Sequence, residues 1–134
     1  MLQIRGIDHV VLRVTGLKAM LEFYCSVLGC CIERQQDELG LIQLRAGTSL
    51  IDLVTVEGRL GREGGAGPGT EGRNMDHFCL RIEPFDATSI VSHLASHGVT
   101  ASEIKSRFGA EGTGPSLYIT DPEGNAVELK GPAR

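Results

Sequence analysis

One run of sequence occurs twice in this chain. Ile7-Asp8-His9-Val10-Val11-Leu12-Arg13-Val14 returns as Met75-Asp76-His77-Phe78-Cys79-Leu80-Arg81-Ile82. Each copy sets Asp-His ahead of apolar residues, then Leu-Arg and a β-branched residue. A repeat fixes architecture before any detail does, because each copy marks one supersecondary unit. It also places two histidines at equivalent positions of two equivalent modules. The chain has 134 residues, room for one domain or for two small half-domains sharing a core.

The first module opens on an alternating strand, Ile7 to Val14, with Val10, Leu12 and Val14 on one face and His9, Val11 and Arg13 on the other. A helix is expected over Leu17–Leu28, with Leu17, Met20, Leu21, Tyr24, Val27 and Leu28 on one stripe and Gly29 as its C′ glycine. Cys31–Arg34, Gly40–Arg45 and Ser49–Val56 read as three short strands. The second module repeats the order. Met75–Ile82 is a strand and Ala87–His97 a helix, with Asp86 as N-cap and Gly98 in the place of Gly29. Val99–Ile104, Ser116–Thr120 and Ala126–Lys130 supply three strands, the last two joined by the turn Asp121-Pro122-Glu123-Gly124-Asn125. Each module is therefore βαβββ. The expected fold class is α+β, with paired βαβββ modules forming a U-shaped mixed sheet around a cleft. Module 1–57 and module 74–134 are joined by a Gly-rich linker over 58–73, too rich in glycine to form an element of its own.

The helix-facing side chains are apolar, and the opposite faces collect His9, Arg13, Asp52, His77, Arg81 and Glu128. Both terminal strands of the modules set a carboxylate, Asp52 or Glu128, between apolar neighbours. A lone strand histidine is usually a hydrogen-bonded one, and a lone carboxylate is usually solvated. Two His–carboxylate pairs at repeat-equivalent positions point instead to a divalent ion with N/O ligation. His93 and His97, spaced i, i+4 on a helix, lack a following Glu and read as cations suited to a helix C-terminus. Gly109-Ala110-Glu111-Gly112-Thr113-Gly114 precedes a strand instead of opening a helix, so it is no dinucleotide fingerprint.

Composition excludes several classes. Aromatics are 4% of the chain and Trp is absent, which disfavours base stacking. A net charge of −4 gives no drive toward nucleic acid or an anionic membrane. No apolar run approaches the ~20 residues of a membrane span, and no apolar signal segment precedes Gly6. The 4 cysteines (Cys25, Cys30, Cys31, Cys79) have no framework spacing and read as reduced thiols of a cytoplasmic protein.

These motifs resemble the vicinal oxygen chelate superfamily, which includes glyoxalase I, methylmalonyl-CoA epimerase, extradiol dioxygenases, fosfomycin-resistance enzymes and bleomycin-binding proteins. The resemblance rests on the two Asp-His strands, on Phe23-Tyr24-Cys25-Ser26-Val27-Leu28-Gly29, and on the closing Asp121 to Leu129. It implies paired βαβββ modules around a divalent metal, with the family's ligand positions falling on His9, Asp52, His77 and Glu128. The family usually has Glu or Gln where Asp52 stands. Such an ion can hold two vicinal oxygens and stabilise an enediolate. The implied activity is a glyoxalase-I-like lyase or isomerase acting on a small oxo compound or its thiol adduct. Glu128 would be the catalytic base, and Ni, Zn or Co are favoured over Mn or Fe. Arg13, Arg81, Tyr118 and Phe108 are the substrate-binding candidates. The alternatives are another metalloenzyme of the superfamily (an extradiol dioxygenase or a fosfomycin-type transferase, with His9, His77 and Glu128 as ligands) and a small-molecule binder with a vestigial site. The expected partners are a small-molecule substrate and a second copy in a homodimer.

Overall fold

The computed structural model describes residues 1–134. The chain divides into two compact units, Met1–Asn74 and Met75–Arg134. Each unit contains one mixed four-stranded sheet, and the class is α+β. In the first, strand β1 (His9–Val14) leads to helix α1 (Leu17–Leu21), then β2 (Cys31–Gln36), β3 (Leu41–Ala46), β4 (Ser49–Thr55) and the short helix α2 (Arg59–Glu63). In the second, β5 (Phe78–Arg81) leads to α3 (Ala87–Ser96), β6 (Lys105–Gly109), β7 (Gly112–Thr120) and β8 (Ala126–Lys130). The strand orders are β1-β4-β3-β2 and β5-β8-β7-β6. In both, the first strand lies parallel to the last and the remaining pairs are antiparallel. No helix is long and apolar enough to cross a membrane.

Burial follows the period-two reading. Leu12 and Val14 of β1, Ile42 and Leu44 of β3, and Ile51 and Leu53 of β4 are buried, as are Leu117, Ile119, Val127 and Leu129 in the second unit. The first helical segment departs from its expected shape. After Leu21 it widens into a π-helical stretch, Glu22–Val27, in which the Leu28 amide donates to the Phe23 carbonyl and the Cys30 amide to Tyr24. Widening rotates the later residues relative to a 3.6-residue stripe. Phe23 therefore joins Met20 and Tyr24 in the core, its ring edge-on to Tyr24 at 5.0 Å, while Leu17 and Leu28 are only half-buried. Gly29 and Gly98 end their helices at φ of 84° and 74°, the left-handed conformation expected of C′ glycines.

Two expectations on secondary structure need correction. The strand placed at Val99–Ile104 is irregular backbone, tied to β7 by the Ser102 amide donating to the Tyr118 carbonyl and the Tyr118 amide donating to the Ser102 hydroxyl. The strand comes later, at Lys105–Gly109, and the glycine-rich run after Phe108 forms the β6–β7 hairpin, where Gly109 pairs with Gly112. Gly-rich sequence hid a strand because pairing there rests on backbone alone. The linker also contains an element, the single turn α2. Gly61 is required in it, since a Cβ there would stand 1.9 Å from the Thr55 carbonyl oxygen.

The N-cap of α3 forms as the sequence suggests: Asp86 Oδ1 accepts from the Ser89 amide at 2.9 Å. That bond holds the Asp86 carboxyl below its ordinary range. Asp86→Ala is expected to lower unfolding stability by about 0.5–2 kcal/mol, measured by urea denaturation. Asp86→Asn, which keeps an acceptor, should recover most of the loss.

Candidate metal centre

His9 begins β1 and His77 immediately precedes β5. Each histidine is bound by the residue before it. His9 Nδ1 lies 2.7 Å from Asp8 Oδ1, and His77 Nδ1 lies 2.6 Å from Asp76 Oδ2. With Nδ1–H donating to a carboxylate, the neutral ring presents the Nε2 lone pair outward. In the first unit Nε2 faces Asp52 Oδ2 at 4.0 Å; in the second it faces Glu128 Oε1 at 3.4 Å. Both carboxylates are buried, at 4% and 6% exposure. A nitrogen lone pair directed at a buried carboxylate needs a cation between or beside them, either a proton on the ring or a metal ion. The hydrogen bond to Asp8, followed by the charge of Asp52, raises the His9 pKa.

The strands explain the placement. β1 and β4 run parallel with Val11 beside Asp52, and β5 and β8 run parallel with Cys79 beside Glu128. Each histidine, two residues upstream, shares a face with its carboxylate. On the far side, the antiparallel ladders set Gln43 opposite Asp52 and Tyr118 opposite Glu128. Gln43 Nε2 donates to Asp52 Oδ2 at 3.2 Å, and the Tyr118 hydroxyl donates to Glu128 Oε1 at 3.0 Å. Asp52 Oδ1 is buried and has no hydrogen-bond partner. An orphaned, buried carboxylate oxygen is costly unless a cation meets it. Beside the Asp-bound His9 it gives the first unit donors of the kind a divalent ion takes, since metal-ligating imidazoles characteristically donate their other N–H to a carboxylate. No group of three or more His, Cys, Asp or Glu side chains comes together in the structure, so each His–carboxylate pair stands by itself.

Around these pairs the expected substrate residues are unequally placed. Tyr118 packs edge-on to His77 at 5.2 Å, under the Arg107 guanidinium at 4.8 Å. Burial, then the bond to Glu128, pushes the Tyr118 phenol up. Arg13 is engaged by the linker: its guanidinium donates to the carbonyls of Gly61, Gly65 and Ala66 at 2.9, 2.6 and 3.0 Å. Arg81 donates to Glu111 and pairs with Glu83 at 3.4 Å. Phe108 stands 83% exposed on β6. Cys79 lies on the face of Glu128 within an otherwise exposed residue. Partial desolvation of its thiol, then the charge of Glu128, pushes it up to about 11, so it is neutral near pH 7. Sequence reasoning missed Gln43 and Arg107. Both become visible only through strand register, although a Gln within the apolar alternation of β3 was a signal of sorts.

Asp8→Asn and Asp76→Asn are expected to weaken divalent-ion affinity by roughly 10–100-fold each while leaving all four direct donors intact. Competition with a chromogenic chelator measures this. Unchanged affinity in both variants would show that these aspartates do not orient the rings for a metal.

Residues 6–129 match the Glyoxalase/Bleomycin resistance protein/Dioxygenase superfamily, and the chain belongs to that superfamily. It is 32% identical over 125 residues to the virulence protein STM3117 of Salmonella typhimurium, covering 92% of this chain and 81% of that one. The crystal structure of that protein superposes with a TM-score of 0.78 at 26% identity, over 98% of this chain and 100% of that chain. An integron cassette protein from the mobile metagenome of V. cholerae, VCH_CASS1, superposes with a TM-score of 0.76 at 28% identity, over 98% of each chain.

Proposed function

We propose that the chain is a metal-dependent lyase or isomerase of the glyoxalase I kind, acting on a small oxo compound or its thiol adduct. The observation that carries this reading is the pair of half-sites, each an Asp-bound histidine whose Nε2 faces a buried carboxylate. His9, Asp52, His77 and Glu128 would hold the ion, with Ni²⁺, Zn²⁺ or Co²⁺ favoured. Bound there, the ion supplies Lewis acidity toward vicinal oxygens.

The rest of the mechanism lies with side chains. Glu128 is the general base. Tyr118 holds Oε1 by its hydroxyl, which leaves Oε2 to take the proton from the carbon beside a carbonyl and return it to the neighbouring carbon. The hydroxyl proton on the first carbon passes to the oxygen of the former carbonyl, so atoms and charge balance and the net change is an isomerisation. Asp52 has the shorter reach and is fixed by Gln43, which suits a ligand better than a base. Its orphaned Oδ1 favours the four-donor set over the three-donor set of the dioxygenase or fosfomycin-type alternatives. A homodimer is part of the proposal, checked by sedimentation.

The test is an assay on metal-loaded protein. Hemithioacetal isomerisation that appears with Ni²⁺, Zn²⁺ or Co²⁺ and vanishes with chelator supports the reading. Ring cleavage of a catechol with Fe²⁺, or ligand binding with no metal at all, would replace it.

A further inference from the structure

Lys130 is 5% exposed, yet no carboxylate forms an ion pair with it. Its ammonium makes one long hydrogen bond, 3.4 Å to the Gly131 carbonyl. An ammonium has three N–H donors, and burying it against one neutral oxygen is unfavourable unless something else meets it. The fold nonetheless keeps space for it. A Cβ at Gly109 would stand 2.8 Å from Lys130 Cε, and one at Gly114 would stand 3.2 Å from Nζ. Two strand glycines thus clear a path for the lysine stem from β8 across β7 toward β6.

The surroundings of this ammonium suit an anion. Lys130 lies two residues beyond Glu128 and so on the same face of the sheet. The ladder sets Ser116 directly beside it on β7. Ser116 is fully buried, and its Oγ accepts from Arg107 Nη1 at 2.7 Å. A hydroxyl that accepts one bond retains its own proton to donate. Arg81, on the other side of Lys130 in the ladder, is already neutralised by Glu111 and Glu83. Lys130 and Arg107 are thus the cations of this face that form no ion pair with a carboxylate.

We infer that Lys130 and the Ser116 hydroxyl form an oxyanion subsite beside Glu128, receiving a carboxylate, phosphate or phosphonate group of the substrate. This deepens the proposed function by giving its oxo substrate an anionic group, and it rests on that reading only for the identity of the reaction. Anion binding itself needs no metal.

The experiment titrates the metal-free full-length chain with inorganic phosphate and, separately, with acetate, following amide NMR shifts. Saturable shifts at Gly109, Gly114 and Gly131 are expected, and whichever ion binds tighter identifies the oxyanion class. Lys130→Met should weaken that binding by roughly tenfold to a hundredfold. Without anion, the same variant should unfold no more easily than the wild type, since an unpaired buried charge has been removed; a purely structural lysine would predict a loss. Lys130→Gln serves as the second neutral variant should the Met form not fold. Absence of a saturable shift in the wild type overturns the subsite, as does an affinity in Lys130→Met or Lys130→Gln equal to that of the wild type. Anion binding that persists in a chain lacking hemithioacetal activity would keep the subsite and discard the reaction.

Discussion

Glu128→Gln is expected to lower turnover by about 10²–10⁴-fold, the range typical of losing a positioned general base. The amide keeps the size of the side chain, and its oxygen can still accept the Tyr118 hydroxyl, which is 3.0 Å from Oε1 in the native chain. What the amide lacks is the ability to accept a proton. Tyr118→Phe isolates the positioning part of that effect. It removes one hydrogen bond from a carboxylate that remains a base, so its loss should be far smaller than that of Glu128→Gln. Both variants are assayed at saturating metal, with bound metal quantified alongside, so that lost ligation is separated from lost proton transfer. Full turnover in a metal-replete Glu128→Gln protein would sink the base assignment and move attention to another acid.

Leu53→Ala is expected to destabilise the fold by about 2–5 kcal/mol, read from urea unfolding midpoints. Leu53 is fully buried on β4, an inner strand of its sheet, with Leu12 of β1 on one side and Ile42 of β3 on the other. Its removal leaves a cavity between strands already committed to the register that places Asp52. A cost under about 1 kcal/mol would show that the sheet collapses easily around the gap. The next residue back along β4 is that aspartate, so Leu53→Ala also serves as a control. It should lower stability while leaving metal affinity per folded molecule unchanged.

The repeat made most of this legible. Period-two alternation in β1, β4 and β8, and in the run from Met75 through β5, identified both the buried face and the face bearing His9, Asp52, His77 and Glu128. Helix ends were readable where chemistry marks them, at Asp86, Gly29 and Gly98. Three features were not readable. The widening after Leu21 changes the helical period midway, so a fixed 3.6-residue stripe overlooked Phe23. The β6 strand was hidden because Gly109 and Gly112 pair through backbone and carry no side-chain pattern. The partners Gln43 and Tyr118 are set by ladder register, which a single sequence does not give. The same limit applies to Arg13. The resemblance marks it as a substrate-binding candidate, and only tertiary structure shows its guanidinium holding linker carbonyls.

If the repeat-equivalent His–carboxylate pairs make a metal site, the protein holds a divalent ion through His9 and His77. Equilibrium dialysis against Ni²⁺ or Zn²⁺ near pH 7.5, with bound metal counted by mass spectrometry, tests it directly in the wild type, His9→Ala, His77→Ala, and a His93→Ala/His97→Ala control. Stoichiometric binding is expected in the wild type and in the control, with loss of that binding in each of the other two variants. A wild type that binds no ion, or binding that survives both His9→Ala and His77→Ala but fails in the helix α3 control, would contradict it.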